Sequence, residues 1–418
     1  MKIKLSVALL VFVPMLALTQ SPRTTNTPYT MYGYGELSDP SYGAQKAMGG
    51  IGYGLREKNM INPANPASFS CVDSMTFMFD LAVSGELSRF DNGTYQSKHP
   101  NARLEYVALQ FPIYKNWGMG FGFKPISRVG YEFGEVDKNT IYTGSGGINQ
   151  VYGALSYNFK QLAIGVNAGY LFGNKYKRGE ISLTTSGSYP PLSADTLSVS
   201  GLSLDFGIQY SCPIGKKQRI VIGAVYTPKV SLNGKYSGGE WTYVFDRPTN
   251  KYIPQVYKPY SSKDTGYDLP ETYAVGLSYA KGDKFLAGAD YTFQKWSDVR
   301  FPEDTFNDRS KINAGCQFTP NARGREYFGR VRYRLGANYA NSYISPKIEE
   351  KTFQFNEYGV SFGFGLPLTG GRSLLNMAFE YTKTNPTQQL AGAIKEEYFK
   401  FTLSYTFNEL WFFQRKVQ

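Results

Sequence analysis

The feature that most restricts this chain is a rhythm: about fourteen stretches of period-two alternation, joined by connections that are short and long by turns. The last stretch shows the alternation most clearly. In "EEYFKFTLSYTFNELWFF", Phe399, Phe401, Leu403, Tyr405 and Phe407 fall on one face, and Tyr398, Lys400, Thr402, Ser404 and Thr406 on the other. "KFLAGADYTFQKW" repeats the pattern, with Asp290 on its polar face, and "FGRVRYRLGANYA" places Arg330, Arg332 and Arg334 together on one strand face. Three arginines side by side do not fit inside a soluble sandwich but suit a wet lumen.

The predicted strands are 74–90, 102–113, 117–136, 147–159, 161–173, 199–212, 218–236, 267–281, 284–297, 309–319, 327–341, 354–367, 372–384 and 397–409. Between them, short turns such as "YKN", "KGD" and "LTGGR" alternate with long loops at 91–101, 137–146, 174–198, 237–266, 298–308, 342–353 and 385–396. An even strand number with short turns at one end and long loops at the other marks an outer-membrane barrel, whose closure leaves no edge unpaired. The expected fold is all-β: a transmembrane antiparallel β-barrel of about 14 strands over residues 74–418.

Composition agrees with this. Aromatics make up 16% of the chain, with 34 Tyr and 29 Phe, and no apolar run beyond the N-terminus approaches the roughly 18 residues of a spanning helix. The opening "MKIKLSVALLVFVPMLALTQ" has two lysines and a short apolar core, so residues 1–19 read as a secretory signal peptide and the destination as the outer membrane. The net charge of +12 is spread without a basic run, which excludes nucleic acid and suits a weak attraction to lipid or lipopolysaccharide head groups. Cys71, Cys212 and Cys316 are too scattered for a disulfide framework or zinc site, and no metal or cofactor is implied. The sole histidine, His99, and the "GSGG" at Gly144–Gly147 both fall in expected loops, without the Ser–His arrangement a hydrolase needs, so the chain does not read as an enzyme.

Residues 20–73 do not alternate. A fourteen-stranded barrel is too wide for wall side chains alone to fill, and the economical place for this segment is the lumen, as a plug; a flexible N-terminal arm is the alternative. Its glycines Gly49, Gly50, Gly52 and Gly54 allow close approach to the wall, while Pro63 and Pro66 stiffen it.

The same segment carries a resemblance. "AMGG" (with Met48, Gly49 and Gly50) followed by "NPA" at Asn65, Pro66 and Ala67 resembles the plug signature of the FadL family of outer-membrane transporters for hydrophobic compounds. "GAVYTPK", "LPETYAVGLSY" and "DYTFQKWSD" follow in that family's order, and the style, including "LLNMAFEY" and "NELWFFQRK", is similar to its Bacteroidetes members. The resemblance implies capture of a hydrophobic small molecule such as a fatty acid at the outer loops and lateral exit near a kinked third strand. Pro125, preceded by Gly122, is the matching feature, with a bulge lacking any passage as the alternative. The aromatic loop 237–266 suits a capture site or a membrane-interface belt. Arg330, Arg332 and Arg334 suit a carboxylate head group, or neutralise Asp80, Asp205, Asp290, Glu380 or Glu57. FadL-like barrels also occur as non-transporting partner or scaffold subunits of outer-membrane secretion or assembly complexes, and the sequence leaves that alternative open.

Overall fold

A strand that is apolar on one face only needs an apolar medium on that face, and the chain supplies fourteen of them. The computed structural model of the protein describes residues 27–135, 140–181, 192–249, 251–302, 304–348, 351–368, 371–388 and 393–410. The expected signal peptide at 1–19, and the first residues of the segment 20–73, lie outside them. The strands run β1 (Thr76–Asp91), β2 (Gln96–Tyr114), β3 (Trp117–Glu135), β4 (Thr140–Phe159), β5 (Leu162–Ile181) and β6 (Leu192–Gly215). Next come β7 (Gln218–Thr227, continued by Val230–Asp246) and β8 (Lys251–Leu269, continued by Glu271–Lys281). The remainder are β9 (Phe285–Lys295), β10 (Arg309–Phe318), β11 (Arg332–Asn341), β12 (Phe355–Pro367), β13 (Leu374–Pro386) and β14 (Lys395–Leu410). Successive strands pair antiparallel, and β14 returns to β1 from Lys395↔Asp91 to Leu410↔Thr76, so the sheet closes. No helix among the described residues is long and apolar enough to cross a membrane.

The two faces are inverted relative to a water-soluble barrel. Leu202, Ile222, Val275, Leu335, Val360 and Phe399 stand exposed on the outside, while Gln150, Gln209, Asn313, Asn376, Ser404 and Thr406 are buried within. Lipid on the outside and a polar interior account for that inversion.

Four expected loops are shorter than the sequence suggests. Residues 237–266 are largely strand, because β7 and β8 continue past Pro228 and Pro270 as a long hairpin paired from Leu269↔Val230 to Lys251↔Asp246. β5 and β6 likewise enter 174–198, β2 begins at Gln96, and β4 begins at Thr140, so Gly144–Gly147 is strand rather than loop. Beyond the membrane both strand faces meet water or protein, and the period-two signal that marks a lipid-facing strand fades.

The described part of the segment that precedes β1 packs against inward-facing residues of the wall. Met48, Ile51, Ile61, Asn65 and Ala67 are fully buried. Gly49 and Gly50 adopt φ of +67° and +85°, a turn that L side chains resist. There the segment's backbone touches the wall: a Cβ on Gly336 of β11 would collide with the backbone of Met48 and Gly49. Gly118 and Gly120 of β3 serve the same end, since Cβ atoms there would strike the backbone and ring of Phe69. Gly118, Gly120 and Gly122 all remain in register with both β2 and β4.

Gly336→Val should force the segment off the wall while leaving the barrel closed. The expected result is a destabilisation of about 1–3 kcal/mol, with unchanged heat-modifiable migration on gels but new tryptic cleavage after Lys46 and Arg56, which are both buried in the native protein. Unchanged protection of those two sites would contradict the role given to Gly336.

Candidate functional site

Among the described residues the longest interruption of the barrel wall lies between β2 and β3; a shorter one parts Gly201–Asp205 of β6 from residues 227–232 of β7. The β2–β3 ladder runs from Tyr114↔Trp117 to Val107↔Phe123 and stops there among the described residues, while β3 continues against β4 as far as Glu135↔Thr140. Pro125 stands just beyond the last β2–β3 pair; it has no N–H to donate, and the β4 register slips between Pro125 and Ser127. Gly122, the last glycine before it, makes room for the ring of Tyr152.

The interior segment fills this interruption. Glu36 and Leu37 form a two-residue strand paired with Arg128 and Ser127 of β3. Ser38 N–H donates to the Ile126 carbonyl at 2.9 Å, and Thr27 N–H donates to the Gly130 carbonyl at 3.1 Å. Two ion pairs bridge the gap from β2: Arg103 to Glu36 at 3.8 Å, and Glu105 to Arg128 of β3 at 3.4 Å.

Glu105 reaches the interior through a bulge. Ala82 pairs with Tyr106 but Val83 with Leu104, so Glu105 is the extra residue and both it and Tyr106 turn inward. There Glu105 meets Lys46 of the segment at 3.3 Å and Lys400 of β14 at 2.8 Å, besides Arg128, and accepts a hydrogen bond from Ser84 Oγ. Nearby, Arg103 also pairs with Glu86, and Lys311 with Asp39. Burial favours a neutral Lys46, but Glu105, Glu380 and Asp39 outweigh it and hold the ammonium above its ordinary pKa. Burial likewise opposes the Asp39 charge, yet Lys311 and Lys46 hold that carboxyl well below the usual range. These residues border a cavity of about 390 Å³ whose walls include Glu36, Asp39, Glu105, Lys124, Glu380 and Lys400.

Toward the loop end the interior becomes apolar. Trp296, Phe301, Phe306, Tyr343 and Phe355 form a buried cluster, and the segment inserts Tyr29 and Tyr34 into it. Tyr34 meets Phe301 edge-on at 5.1 Å and donates its hydroxyl to the Asp268 carbonyl at 3.0 Å, while Tyr29 lies 4.4 Å from Phe355. Of the expected capture-site aromatics, Trp241 and Tyr260 lie on the β7–β8 hairpin; the side chains of Tyr243, Phe245, Tyr252 and Tyr257 lie outside those described.

The "AMGG" and "NPA" residues anchor the segment. Gly49 N–H donates to Ser361 Oγ, and Met48 is fully buried. Asn65 caps the short helix Pro66–Ser70, accepting from Ala67 N–H, and donates to the carbonyls of Tyr53 and of Ile208 in β6. A second Asn-Pro-Ala lies just upstream at Asn62–Ala64, and its Asn62 accepts from Gln45 and donates to the carbonyls of Gly52 and Leu55. Asp290 of β9 accepts from the N–H groups of Gly52 and Tyr53, so its partner is segment backbone rather than an arginine.

Arg332 and Arg334 stay together on one face of β11, and Arg330 is parted from them. Arg330 ends a helical turn, Tyr327–Arg330, with its guanidinium over the Tyr327 ring, because β11 starts only at Arg332. Arg332 lies in the field of Glu57 and Asp283. Arg334 is buried and donates to Gln317 and Asn376 at 2.8 Å each. Asp80 is held by Tyr106 and Thr406, Asp205 by Asn167 and Thr227, and Glu57 pairs with Arg219. Strict alternation would have put Glu105 on the face opposite Tyr106, and so its central position was not readable from the sequence.

Comparison with known proteins places this architecture. The family model BamG matches residues 1–418, the whole chain. The chain belongs to the BamG family. No curated protein matches it significantly. This BamG-family barrel is similar in structure to the Pseudomonas putida toluene transporter TodX, with a TM-score of 0.62 and 15% identity over 90% of this chain and 100% of the other. The Ralstonia pickettii toluene transporter TbuX gives 0.60 and 15% over 88% and 98%, and a Pseudomonas aeruginosa FadL homologue gives 0.57 and 12% over 89% and 99%. At these identities the likeness is one of fold: the BamG-family chain is a FadL-like barrel.

Glu105→Gln should leave Lys46, Arg128 and Lys400 facing one another without their shared counter-charge. The expected loss is about 3 kcal/mol, read as a lower urea midpoint of the folded barrel in detergent; a midpoint within error of wild type would show that the cluster is not structural. Because the Asp39 carboxyl is depressed in the folded protein, its contribution is complete above its unfolded pKa of about 3.9 and is lost as the pH falls through the folded value. Below about pH 4 the segment should therefore grow sensitive to an acid protease, and Asp39→Asn should bring that sensitivity to neutral pH.

Proposed function

We propose that this chain is a sealed FadL-like barrel serving as a partner or scaffold subunit of an outer-membrane secretion or assembly complex. The observation that carries the reading is self-occupancy of the route a lipophilic solute would need. Tyr29 and Tyr34 fill the apolar cluster at the loop end, ion pairs around Glu105 cross the lumen, and Glu36–Leu37 occupy the break in the wall. An apolar solute gains nothing from a charged cavity, and separating each buried pair to let it pass costs several kcal/mol. Kinship supports the same reading: the BamG match covers the whole chain, whereas the resemblance to hydrophobic-compound channels stays at 12–15% identity.

A second reading is uptake of hydrophobic small molecules such as fatty acids, captured by the loops and released sideways near β3. The end of the β2–β3 ladder beside Pro125 favours it, since displacement of Glu36–Leu37 would leave an opening in the wall.

One preparation separates the two. The protein is extracted gently from its own outer membrane for native mass spectrometry, and reconstituted in liposomes for uptake of a labelled fatty acid. A stoichiometric protein partner, no bound lipophile and uptake equal to that of empty liposomes are the expected results. A bound lipophile without a partner, together with uptake that falls in Pro125→Val, would replace the first reading with the second.

A further inference from the structure

The short-turn end of the barrel carries a surface that the sealed interior does not explain. This end faces the periplasm, opposite the long loops. Its three consecutive turns after β6, β8 and β10, taken with Lys281 at the end of β8, hold seven cations, Lys216, Lys217, Lys281, Lys284, Arg323, Arg325 and Arg330, against two acids, Asp283 and Glu326. The other three turns, on the remaining arc of the rim, contribute only Lys115, Lys160 and Arg372. At the loop end the 296–308 connection is acidic instead, with four acids and one arginine. The phosphates of lipopolysaccharide lie at that loop end, so they are not what the basic turns meet.

The three basic turns are joined into one surface. Gly282 N–H donates to the Lys217 carbonyl at 2.6 Å, linking the second turn to the first, and Thr319 N–H donates to the Lys284 carbonyl at 2.8 Å, linking the third to the second. Inside the third turn, Asn321 N–H donates to the Gly329 carbonyl at 2.7 Å and holds the helical turn Tyr327–Arg330 in place. On that turn Phe328 is 76% exposed beside Arg330, a large apolar side chain set among cations. Among the described residues, the lysines and arginines at 216, 217, 281, 284, 323 and 325 carry no ion pair.

We propose that these three turns form a docking platform for an acidic segment of a periplasmic protein, with Phe328 as its apolar anchor. This rests on the partner-subunit reading and places one partner contact at the periplasmic rim. A phospholipid leaflet would call for cations on every turn alike; here seven of the ten cations of the six turns stand on one arc, on turns whose backbones are fixed to one another. Charge complementarity selects an acidic partner and steers its approach, and an exposed aromatic among arginines has the composition of an interface anchor.

The test compares two triple variants of equal charge change. One carries Lys217→Glu, Lys284→Glu and Arg325→Glu, a single change in each linked turn; the other carries Lys115→Glu, Lys160→Glu and Arg372→Glu on the opposite arc. Both are checked for folding by heat-modifiable migration. The full-length protein in phosphatidylcholine nanodiscs is titrated with a short labelled oligoglutamate at low salt, and the same variants are purified gently from native outer membranes. The first variant should bind the peptide about tenfold more weakly than wild type and lose a protein that wild type and the second variant retain. Equal peptide loss in both variants would overturn the proposal by showing only an effect of net charge. Loss of phosphatidylglycerol from doped nanodiscs by the first variant, with its protein complex intact, would overturn it in favour of a lipid contact. An intact complex in the first variant would sink the platform but leave the partner-subunit reading standing, whereas wild type purified alone would sink that reading itself.

Discussion

In hydrocarbon a backbone N–H has no water to bond, so a sheet that crosses a membrane must close on itself, and the rest of this structure follows from that requirement. Closure through β14 and β1 needs fourteen strands here, and a cylinder of that size encloses more room than inward side chains fill. The chain's own N-terminal segment takes up the room. Its backbone lies so near the wall that residues such as Gly336 and Gly120 have no space for a Cβ, and its polar groups are matched to wall groups such as Asp290 and Ser361. Wall glycines, buried carboxylates and the "NPA" asparagines are thus parts of one solution to one packing problem.

The same requirement explains the treatment of the longest break in the wall. Beyond Val107↔Phe123 the edges of β2 and β3 separate, and an open edge inside a membrane protein needs cover. Glu36–Leu37 supply hydrogen bonds to β3, while Arg103 and Glu105 reach across from β2. A break that in an empty barrel would be a doorway is here a seam, fastened by backbone on one side and by charge on the other. Removing the segment would expose an edge and an unbalanced cluster of cations together, which ties the integrity of the wall to the state of the interior.

Much of this was written in the sequence in a form that period and spacing reveal. Lipid-facing and lumenal sides of β14 follow directly from the alternation of Phe399 to Phe407, and the glycine and "NPA" signals of the segment correspond to its turn and its cap at Gly49 and Asn65. What escaped was whatever breaks the period. The bulge at Glu105 sends two neighbouring side chains inward, so a strict alternation misplaces the residue on which three cations converge. The β7–β8 hairpin rises out of the membrane, loses its one-sided apolar face and reads as loop. Arg330 followed the pattern of Arg332 and Arg334 on paper, but the chain turns once as helix before β11 begins. Partnership was hidden as well: which acid meets which base depends on strands far apart in sequence, as when Glu105 joins Lys46 to Lys400.

That last contact has a consequence for how the molecule is built. Lys400 and Glu396 belong to the final strand, yet they meet Glu105 and Thr27, which are made at the start of the chain. The interior segment therefore cannot complete its contacts until the last strand arrives. Synthesis runs from one end to the other, but the contacts of the earliest described residues are finished only by the last strand.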